Sequence, residues 1–581
     1  MATDVKVNSS STVLPKAPGP GPWALEASHW SHPMSGFMSE IFPRAMPEGF
    51  RRGAENYGML LEGMRMEVIN HFLYVQILPI GAPIDAKGPP PKWLFKLLLK
   101  LHPRLRKRIN RCKEVLAERT WQRELDEWNR SIKPWVVGRN QALQAVDIEN
   151  SDDAALFKHL SECRQHLYDA LVSHHTLTAS NAVPLGRYLA KTTAWTGLPE
   201  HEVLDLLRGS SPSTAGTTAD LQRLLAALRQ HHEAISWLEF EDNGEDPATV
   251  LQKLLSADGE LGAATNAYIE VIGNRLGTGY DVADRRVIEV PDVLLRGLAQ
   301  SLQKDNSADD LQPEINRVRG LVPEQHRAEF DQLLDDAQMT HEIRDERIVL
   351  GDSWATGLAR RALLEAGKRL TARGLIEAPE HLVDATLAEI EAMFNGEAGP
   401  GPEQLAARHH QRCNAHVEEM PPFLGSEPGP PPPDEWLPPA AREIMSGMGA
   451  FLNGNMGQDA AQANAAAAQQ SADNGQLLTG VGASGGSYEG IARVITAPEQ
   501  MNQIQQGDIL LVASTSPAFN VVLPLLGAIV TERGGMLCHA AVVAREYQIP
   551  AVAGVPGAMQ KINNGQRLRI DGSAGTVELL N

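Results

Sequence analysis

The chain has 581 residues, and its 72 acidic side chains outnumber 53 basic ones to give a formal net charge of −19. This length predicts several domains, and the acidic balance disfavours general nucleic-acid binding because like charges repel. Hydrophobic residues make up 43% and charged residues 22% of the chain, which excludes a wholly disordered or fibrous protein.

The cysteines and the terminal sequence indicate the compartment. The cysteines lie far apart and form no C-x-x-C pair, so the sequence predicts neither a disulfide framework nor a thiolate zinc site. The first 22 residues lack a charged region followed by an apolar one, and no stretch approaches 18 apolar residues. We therefore expect a cytoplasmic protein that does not engage a membrane.

In chain order, the first expected region is a disordered tail over residues 1–22, which are small, polar and rich in proline and glycine. A mainly α-helical body follows over 23–425, where apolar residues recur at three- and four-residue spacing. Within it, residues 92–135 carry 13 Lys/Arg against 5 Asp/Glu. This segment is interpreted as a solvated helix pair rather than a docking site for a polyanion or an acidic partner.

Two regions complete the chain. Residues 426–486 are rich in proline, alanine and glycine and predict a connector that contains a short helix. From 487 to 581, strand-like runs alternate with turn signals and one clear helix, which predicts a compact β/β/α domain. The predicted fold class is therefore multidomain, a large mainly α-helical domain followed by a small domain of strands and helices.

The segment from Thr531 to Pro550 carries the chemistry. It runs from the end of an apolar strand to a helix whose first turn contains His539. Unpaired N–H groups and the positive dipole end at that position favour an anion and a neutral imidazole, which is a nucleophile. These features suit a transient phosphohistidine.

Other residues of this segment are predicted to stabilise a phosphoryl group. Gly534 and Gly535 let the backbone approach a phosphate, and Arg545 offers a planar cationic fork. The side chains of Thr531 and Cys538 can hydrogen-bond either the imidazole or the phosphoryl group.

The whole string resembles the phosphohistidine, or swivelling, domain of the PEP-utilising enzyme family. The resemblance covers about residues 480–581 and implies that His539 is phosphorylated and passed between two active sites. Cys538 stands where many members have Ser or Thr. The other matching motifs are Gly490-Ile-Ala-Arg493, Gly507-Asp508, Ser516-Pro517, Gly565 and Asp571-Gly572.

A weaker resemblance joins the helical body to the acceptor-binding regions of phenylphosphate-synthase-like and rifampicin-phosphotransferase-like proteins. It implies that Arg275, Arg344 and Arg347 neutralise phosphoryl charge, although they are equally compatible with ordinary ion pairs. Asn274 stands where many relatives have histidine. The landmarks are His29-Trp-Ser-His32-Pro33, Tyr57-Gly58, Ile69-Asn70-His71, Gly273-Asn274-Arg275, Arg344-Asp345-Glu346-Arg347 and Arg360-Arg361.

Two regions that single-chain relatives carry are not recognisable in the sequence, an ATP-grasp region ahead of the helical body and a PEP/pyruvate barrel after the phosphohistidine domain. The resemblance therefore implies a separate ATP-binding, ATP-grasp-like subunit that carries ATP and Mg²⁺, with no cofactor bound firmly by this chain. No metal site is predicted either. His409, Cys413 and His416 share a helical spacing but lack a fourth ligand.

The expected function is an ATP-dependent dikinase-type phosphotransferase that gives an aryl phosphate, AMP and phosphate from a phenol or another hydroxyl acceptor. The candidate general bases are His29, His32 and His71. The alternatives are a rifampicin-type antibiotic phosphotransferase and a non-enzymatic phosphocarrier or regulatory protein.

Overall fold

A computed structural model of the chain describes residues 15–27, 30, 32–211, 218–303, 310–456, 476–496, 498–515, 519 and 522–580. A mainly α-helical body precedes a small domain of strands and helices, which confirms the predicted fold class. None of the described helices is long and apolar enough to cross a bilayer. The predicted domain boundaries stay predictions.

The helices of the body alternate with turns from residue 36 to 413, and two π-helical stretches interrupt them at Trp128–Ile132 and Arg347–Asp352. The α-helical segments are Gly36–Ser39, Phe42–Asn56, Lys92–Leu101, Pro103–Glu118, Thr120–Glu127, Lys133–Gln144, Asp153–Thr176, Thr178–Thr196, Glu200–Leu204, Ala219–Arg229, His232–Trp237, Phe240–Asn243, Pro247–Leu255, Gly259–Ile272, Pro291–Gln303, Gln312–Leu321, Arg327–Met339, His341–Glu346, Ser353–Ala372, Leu387–Asn395 and Pro402–Cys413.

The body also contains a four-stranded sheet that the helical pattern did not predict. Its strands are β1 (Pro22–Leu25), β2 (Leu61–Ile69), β3 (Phe72–Pro79) and β4 (Phe423–Gly425), in the order β2-β3-β1-β4. β2 and β3 form an antiparallel hairpin whose two turn residues, Asn70 and His71, have φ of 49° and 71°. Positive φ at both positions is typical of the tight turn that matches strand twist.

The described end of the expected N-terminal tail packs against this sheet. Pro22 begins β1 and lies opposite Gly425, and the Pro20 carbonyl accepts a hydrogen bond of 2.7 Å from Gln76 Nε2. Residues 15–22 are therefore ordered, because strand pairing and the buried Trp23 offset the entropy of ordering them. Residues 1–14 lie outside the described part of the chain.

The connector helix, Pro439–Met456, packs along the body helix Thr178–Thr196. The two helices touch at Gly186 and Gly447, where a Cβ built on Gly186 would lie 1.8 Å from the Gly447 carbonyl oxygen. Glycine at this crossing lets the backbones approach. The helix thereby places Gly454 and Asn455, near its C-terminal end, at the boundary with the last domain.

The C-terminal domain is built on an eight-stranded sheet of order β5-β12-β11-β7-β8-β9-β10-β6. The central strands β7, β8, β9 and β10 are parallel, so the carboxyl ends of neighbouring strands meet at one edge. The strands are β5 (Leu477–Thr479), β6 (Val481–Ser484), β7 (Ser487–Ile495), β8 (Asp508–Val512), β9 (Leu526–Thr531), β10 (Ala551–Ala553), β11 (Arg567–Asp571) and β12 (Thr576–Leu579), and the helices are His539–Glu546 and Ala558–Lys561.

Candidate active site

His539 opens the helix His539–Glu546 at the carboxyl edge of the parallel strands. β9 ends at Thr531, and a loop then turns through Gly534, which has φ of +99°. A Cβ built on Gly534 would lie 2.9 Å from Cys538 Cβ, closer than side-chain carbons pack. The turn therefore requires glycine at 534 and fixes the start of the helix.

Replacing Gly534 with alanine should lower the thermal unfolding midpoint. The expected cost is roughly 1–3 kcal/mol, because the new Cβ meets a strained φ and the Cys538 side chain together. Gly565→Ala is the matched control, since Gly565 also has a positive φ, +83°, but nothing within 4 Å of the built Cβ. Equal losses of melting temperature in the two variants would contradict the role given to the Cys538 contact.

The two ring nitrogens of His539 have different surroundings. Nδ1 lies 3.2 Å from Thr515 Oγ1, in the segment that follows β8. Nε2 is buried and has no hydrogen-bond partner among the described residues. Because Nδ1 is engaged by Thr515, Nε2 is the nitrogen that is available to a phosphorus atom.

The environment of His539 keeps the imidazole neutral. Burial lowers its pKa to about 4, while the carboxylate of Asp345 acts in the opposite direction and the Arg344 guanidinium reinforces the lowering. A neutral ring at physiological pH has the free lone pair that a nucleophile needs. Burial also raises the pKa of Cys538, which keeps the neighbouring thiol protonated.

Arg344 and Asp345 reach this site from the body helix His341–Glu346. Arg344 Nη2 donates to the Leu537 carbonyl at 2.5 Å and to Asn455 Oδ1 at 3.2 Å, whereas Nη1 is buried without a partner among the described residues. Asp345 accepts a 2.8 Å hydrogen bond from Ser211. Arg344, one of the arginines predicted in the acceptor-binding region, thus contacts the loop that carries His539.

Backbone contacts dock the His539 loop on the body. The Gly535 and Leu537 N–H groups donate to the carbonyls of Asn455 and Gly454, at 3.2 and 2.7 Å. The Leu537 side chain is fully buried in a cluster of body residues that includes Phe451 of the connector helix. The imidazole is therefore presented to the helical body.

Replacing Leu537 with alanine should loosen this docking. Removing a buried leucine costs about 2–5 kcal/mol, and here the lost contacts join two domains. We expect the radius of gyration from small-angle scattering to increase, while Leu452→Ala, on an exposed position of the same connector helix, leaves it unchanged. An unchanged radius in the Leu537 variant would contradict the anchoring role.

Other predicted phosphate-stabilising residues support the loop in this conformation. Arg545 is buried, and its Nη1 donates to the carbonyls of Ala483 and Met536, both at 2.9 Å. Thr531 is buried at the end of β9, and its hydroxyl has no partner among the described residues. Arg545 thus positions the loop rather than presenting that nitrogen to a ligand.

The other two predicted arginines are held by contacts inside the body. Arg347 is buried and donates to the carbonyls of Ile343 and His174, at 2.9 and 2.5 Å. The Arg275 guanidinium stacks over the ring of Trp354 with 5.6 Å from Cζ to the ring centroid. These contacts give both side chains structural roles in the body.

The candidate general bases are spread over the N-terminal part of the body. His71 lies at the hairpin turn between β2 and β3, where its carbonyl accepts a 2.8 Å hydrogen bond from the Met34 N–H group. Burial lowers the pKa of His71. Burial raises the pKa of Asp284, and the nearby His32 acts in the opposite direction. His29 lies outside the described residues, as do Ser516 and Pro517.

An aromatic cluster that the sequence analysis missed lies inside the body. Trp30 packs against Phe42 at 4.8 Å and against Tyr280 at 6.4 Å between ring centroids, and Phe42 packs against His175 at 5.9 Å. His175 stacks on His174 at 4.4 Å. These five residues are called the aromatic cluster below.

Charged groups border the aromatic cluster on the side of His539. Burial raises the pKa of Tyr280, and Arg344, Asp345 and Asp352 all act on the same hydroxyl. Arg344 and Asp345 also act on His539. Tyr280 therefore lies near Arg344 and Asp345, which neighbour the His539 loop, and near Asp352, which is held by His174 through a 2.5 Å contact of Nδ1 with Oδ2.

Comparison with protein families identifies the C-terminal domain. Residues 504–575 match the mobile domain of PEP-utilising enzymes, and this range includes His539, Thr515 and the loop between Thr531 and Cys538. A solved structure, the holo-form of aconitase X from Thermococcus kodakaraensis, aligns with 18% of this chain and 98% of that one at 22% identity. The TM-score of 0.16 is too low to indicate a shared fold.

Curated relatives extend the similarity into the helical body. A rifampicin phosphotransferase of Streptomyces sp is 27% identical over 405 residues, which are 66% of this chain and 42% of the relative. An uncharacterised protein of Mycobacterium tuberculosis is 27% identical over 371 residues, 63% of this chain and 36% of its own. Chondramide synthase of Chondromyces crocatus is 25% identical over 584 residues, 96% of this chain and 14% of its own. The chain thus spans less than half the length of these relatives.

Proposed function

We propose that this chain, whose residues 504–575 match the mobile domain of PEP-utilising enzymes, is a phosphotransferase component whose His539 carries a phosphoryl group to a hydroxyl acceptor. The phosphorus is bonded to Nε2. The acceptor is a small molecule held by the helical body, and a phenol is the preferred class. The observation that carries the proposal is an unpartnered Nε2 presented to Arg344 and Asp345 of the body.

The electrostatics of the docked site suit phosphoryl transfer. The acceptor oxygen attacks phosphorus in line, the N–P bond breaks, and its electron pair returns to Nε2. The N–H groups at the start of the His539 helix and the cationic Arg344 Nη1 stabilise the phosphoryl oxygens as negative charge shifts among them. A covalent carrier divides one difficult transfer into two easier steps.

The aromatic cluster supports a phenolic acceptor. Trp30, Phe42 and Tyr280 offer ring faces and edges to an aromatic molecule, and such pairs contribute about 0.5–1.5 kcal/mol each beyond the area they bury. Arg344 acts on both Tyr280 and His539, so the cluster adjoins the phosphohistidine loop.

The charging step is assigned to a separate ATP-binding subunit that carries ATP and Mg²⁺. In the proposed reaction the β-phosphoryl group passes to His539, the γ-phosphoryl group passes to water, and AMP and phosphate are released. The matched relatives extend well beyond the region they share with this chain, which leaves them ample length for a nucleotide-binding part.

A second candidate function is phosphorylation of a rifamycin-type antibiotic. It is favoured by relatives named rifampicin phosphotransferase, from two Streptomyces species, that align with 66% and 67% of this chain at 27% and 25% identity. Such acceptors also present a hydroxyl on a large apolar body. The two candidates share the phosphohistidine and differ in the acceptor.

An acceptor panel tests the proposal without the nucleotide-binding partner. The chain is charged with potassium phosphoramidate, desalted, and offered phenol, an aliphatic alcohol or rifampicin, and products are followed by ³¹P NMR. Formation of phenyl phosphate supports the preferred function, and phosphorylated rifampicin supports the second. Phosphohistidine that transfers to none of them would point to a non-enzymatic phosphocarrier and contradict both.

A further inference from the structure

Asp352 is a carboxylate inside the body with one oxygen held and one oxygen unengaged. It ends the π-helical stretch Arg347–Asp352, a geometry that recurs at functional sites. Oδ2 contacts His174 Nδ1 at 2.5 Å, and Oδ1 is buried without a hydrogen-bond partner among the described residues. A buried acceptor atom that lacks a donor is costly, which is expected where a ligand supplies the donor.

The position of Asp352 fits a group that acts on the acceptor. It follows Asp345 by seven residues, across the π-helical stretch Arg347–Asp352, and Tyr280 lies within electrostatic reach of both carboxylates. A base that hydrogen-bonds a hydroxyl poised for attack lies roughly 6 Å from the phosphorus. Transfer to the proposed acceptor therefore requires its hydroxyl to bind beside Tyr280, next to Asp352.

We propose that Asp352 is the general base that takes the proton from the acceptor hydroxyl, an inference that rests on the proposed function. As the acceptor oxygen bonds to phosphorus, its proton passes to Asp352 Oδ1. The N–P bond breaks, and the electron pair returns to His539 Nε2. His174 is a positioning residue, because its ring holds Oδ2 and directs the other oxygen.

The groups around Asp352 poise it for this role. His174, His175, Arg347 and Tyr280 face it from the surrounding helices and from the loop that carries residue 280. Burial raises the pKa of Asp352 to about 7, against the lowering effects of His175 and Arg347. A base with a pKa near the working pH combines a large deprotonated fraction with useful proton affinity.

Acceptors of different acidity distinguish a general base from a structural residue at position 352. The wild type and Asp352→Asn are charged with phosphoramidate, and single-turnover transfer is measured to phenol and to 4-nitrophenol, which is largely ionised above neutral pH. We expect the variant to charge normally and to lose about 10²–10⁴-fold in transfer to phenol. Its loss with 4-nitrophenol should be at least tenfold smaller, because that acceptor needs no base.

The pH profile gives a second readout. Only deprotonated Asp352 accepts a proton, so wild-type transfer to phenol should rise as the pH increases through about 7 and then level off. The rise should be absent in Asp352→Asn. His174→Gln should lower transfer to phenol less than Asp352→Asn does and shift the midpoint of the profile.

The matched control is Asp384→Asn. Asp384 is also a buried carboxylate held by a histidine, with 2.9 Å between its Oδ2 and His409 Nδ1. This variant should lose stability without changing the ratio of the phenol and 4-nitrophenol rates. An unchanged ratio in Asp352→Asn would overturn the inference and leave the proposed function intact. Absence of any transfer by the charged wild type would instead overturn the proposed function.

Discussion

A chain with alanine at position 539 should retain no acid-labile phosphate and should transfer none to an acceptor. The proposed reaction passes through an N–P bond on His539 Nε2, which is buried without a hydrogen-bond partner among the described residues. Removing a covalent nucleophile costs on the order of 10⁶-fold in rate. The measurement is retention of β-labelled ATP phosphate on the chain in the presence of the proposed ATP-binding subunit, followed by transfer to phenol.

The control for this variant is His410→Ala, which removes an exposed histidine from the body helix Pro402–Cys413. This control should charge and transfer as the wild type does. Label retained by His539→Ala, on whatever residue, would refute the assigned nucleophile. Full labelling of His539→Ala with normal transfer would refute the carrier mechanism altogether.

Arg344→Gln should leave charging of His539 intact and lower transfer to the acceptor by about 10²–10³-fold. This magnitude is typical of removing one preorganised donor from a site where negative charge develops. Arg344 also joins the two domains through the Leu537 carbonyl and Asn455. Arg344→Lys retains the charge without the planar fork and should recover part of the rate. Single-turnover transfer from the charged chain measures both variants.

Arg344 both docks the two domains and, in the proposal, stabilises charge. The Arg533→Gln variant weakens docking alone and therefore distinguishes these two effects. Arg533 makes a 3.0 Å ion pair with Glu418 between the same two domains, at a site exposed enough for such a pair to contribute less than about 1 kcal/mol. We expect a loss of no more than a few fold. A loss in Arg533→Gln as large as that in Arg344→Gln would contradict direct stabilisation of the phosphoryl group.

Local sequence patterns predicted the C-terminal domain well. The strand-like runs predicted between residues 487 and 581 include strands that the structure places at Asp508–Val512, Leu526–Thr531 and Arg567–Asp571. The helix that begins at His539 was also predicted. These elements are short and bounded by turn residues, so the signal that defines each lies within a few positions of the chain.

Long-range packing explains what the sequence did not reveal. β2 and β3 lie in a region dominated by helices, and the sequence analysis assigned this region to the helical body. Thr515 meets His539 only because β8 and β9 are adjacent and parallel. Trp30 lies 250 residues before Tyr280 and Asp352 lies 72 residues after it, so no local periodicity predicts that Tyr280 lies near both. The sequence analysis therefore nominated His29, His32 and His71 and did not consider Asp352.

The arginines illustrate the same limit. Arg344 and Arg347 are three residues apart on continuous helix, and the resemblance gave them one role. In the structure Arg344 contacts the His539 loop, whereas Arg347 donates to carbonyls within the body. Which of the two arginines faces His539 depends on how the last domain docks on the body, and only the three-dimensional structure reveals this.

The position of phosphorus on the imidazole tests the central claim most directly. Chain labelled with ¹⁵N-histidine is charged by phosphoramidate or by the proposed ATP-binding subunit, and the ring nitrogen bonded to phosphorus is identified by ¹⁵N and ³¹P NMR. The account predicts one phosphohistidine, at His539, with phosphorus on Nε2 and Nδ1 still facing Thr515. Phosphorus on Nδ1, or on any other residue, would contradict it.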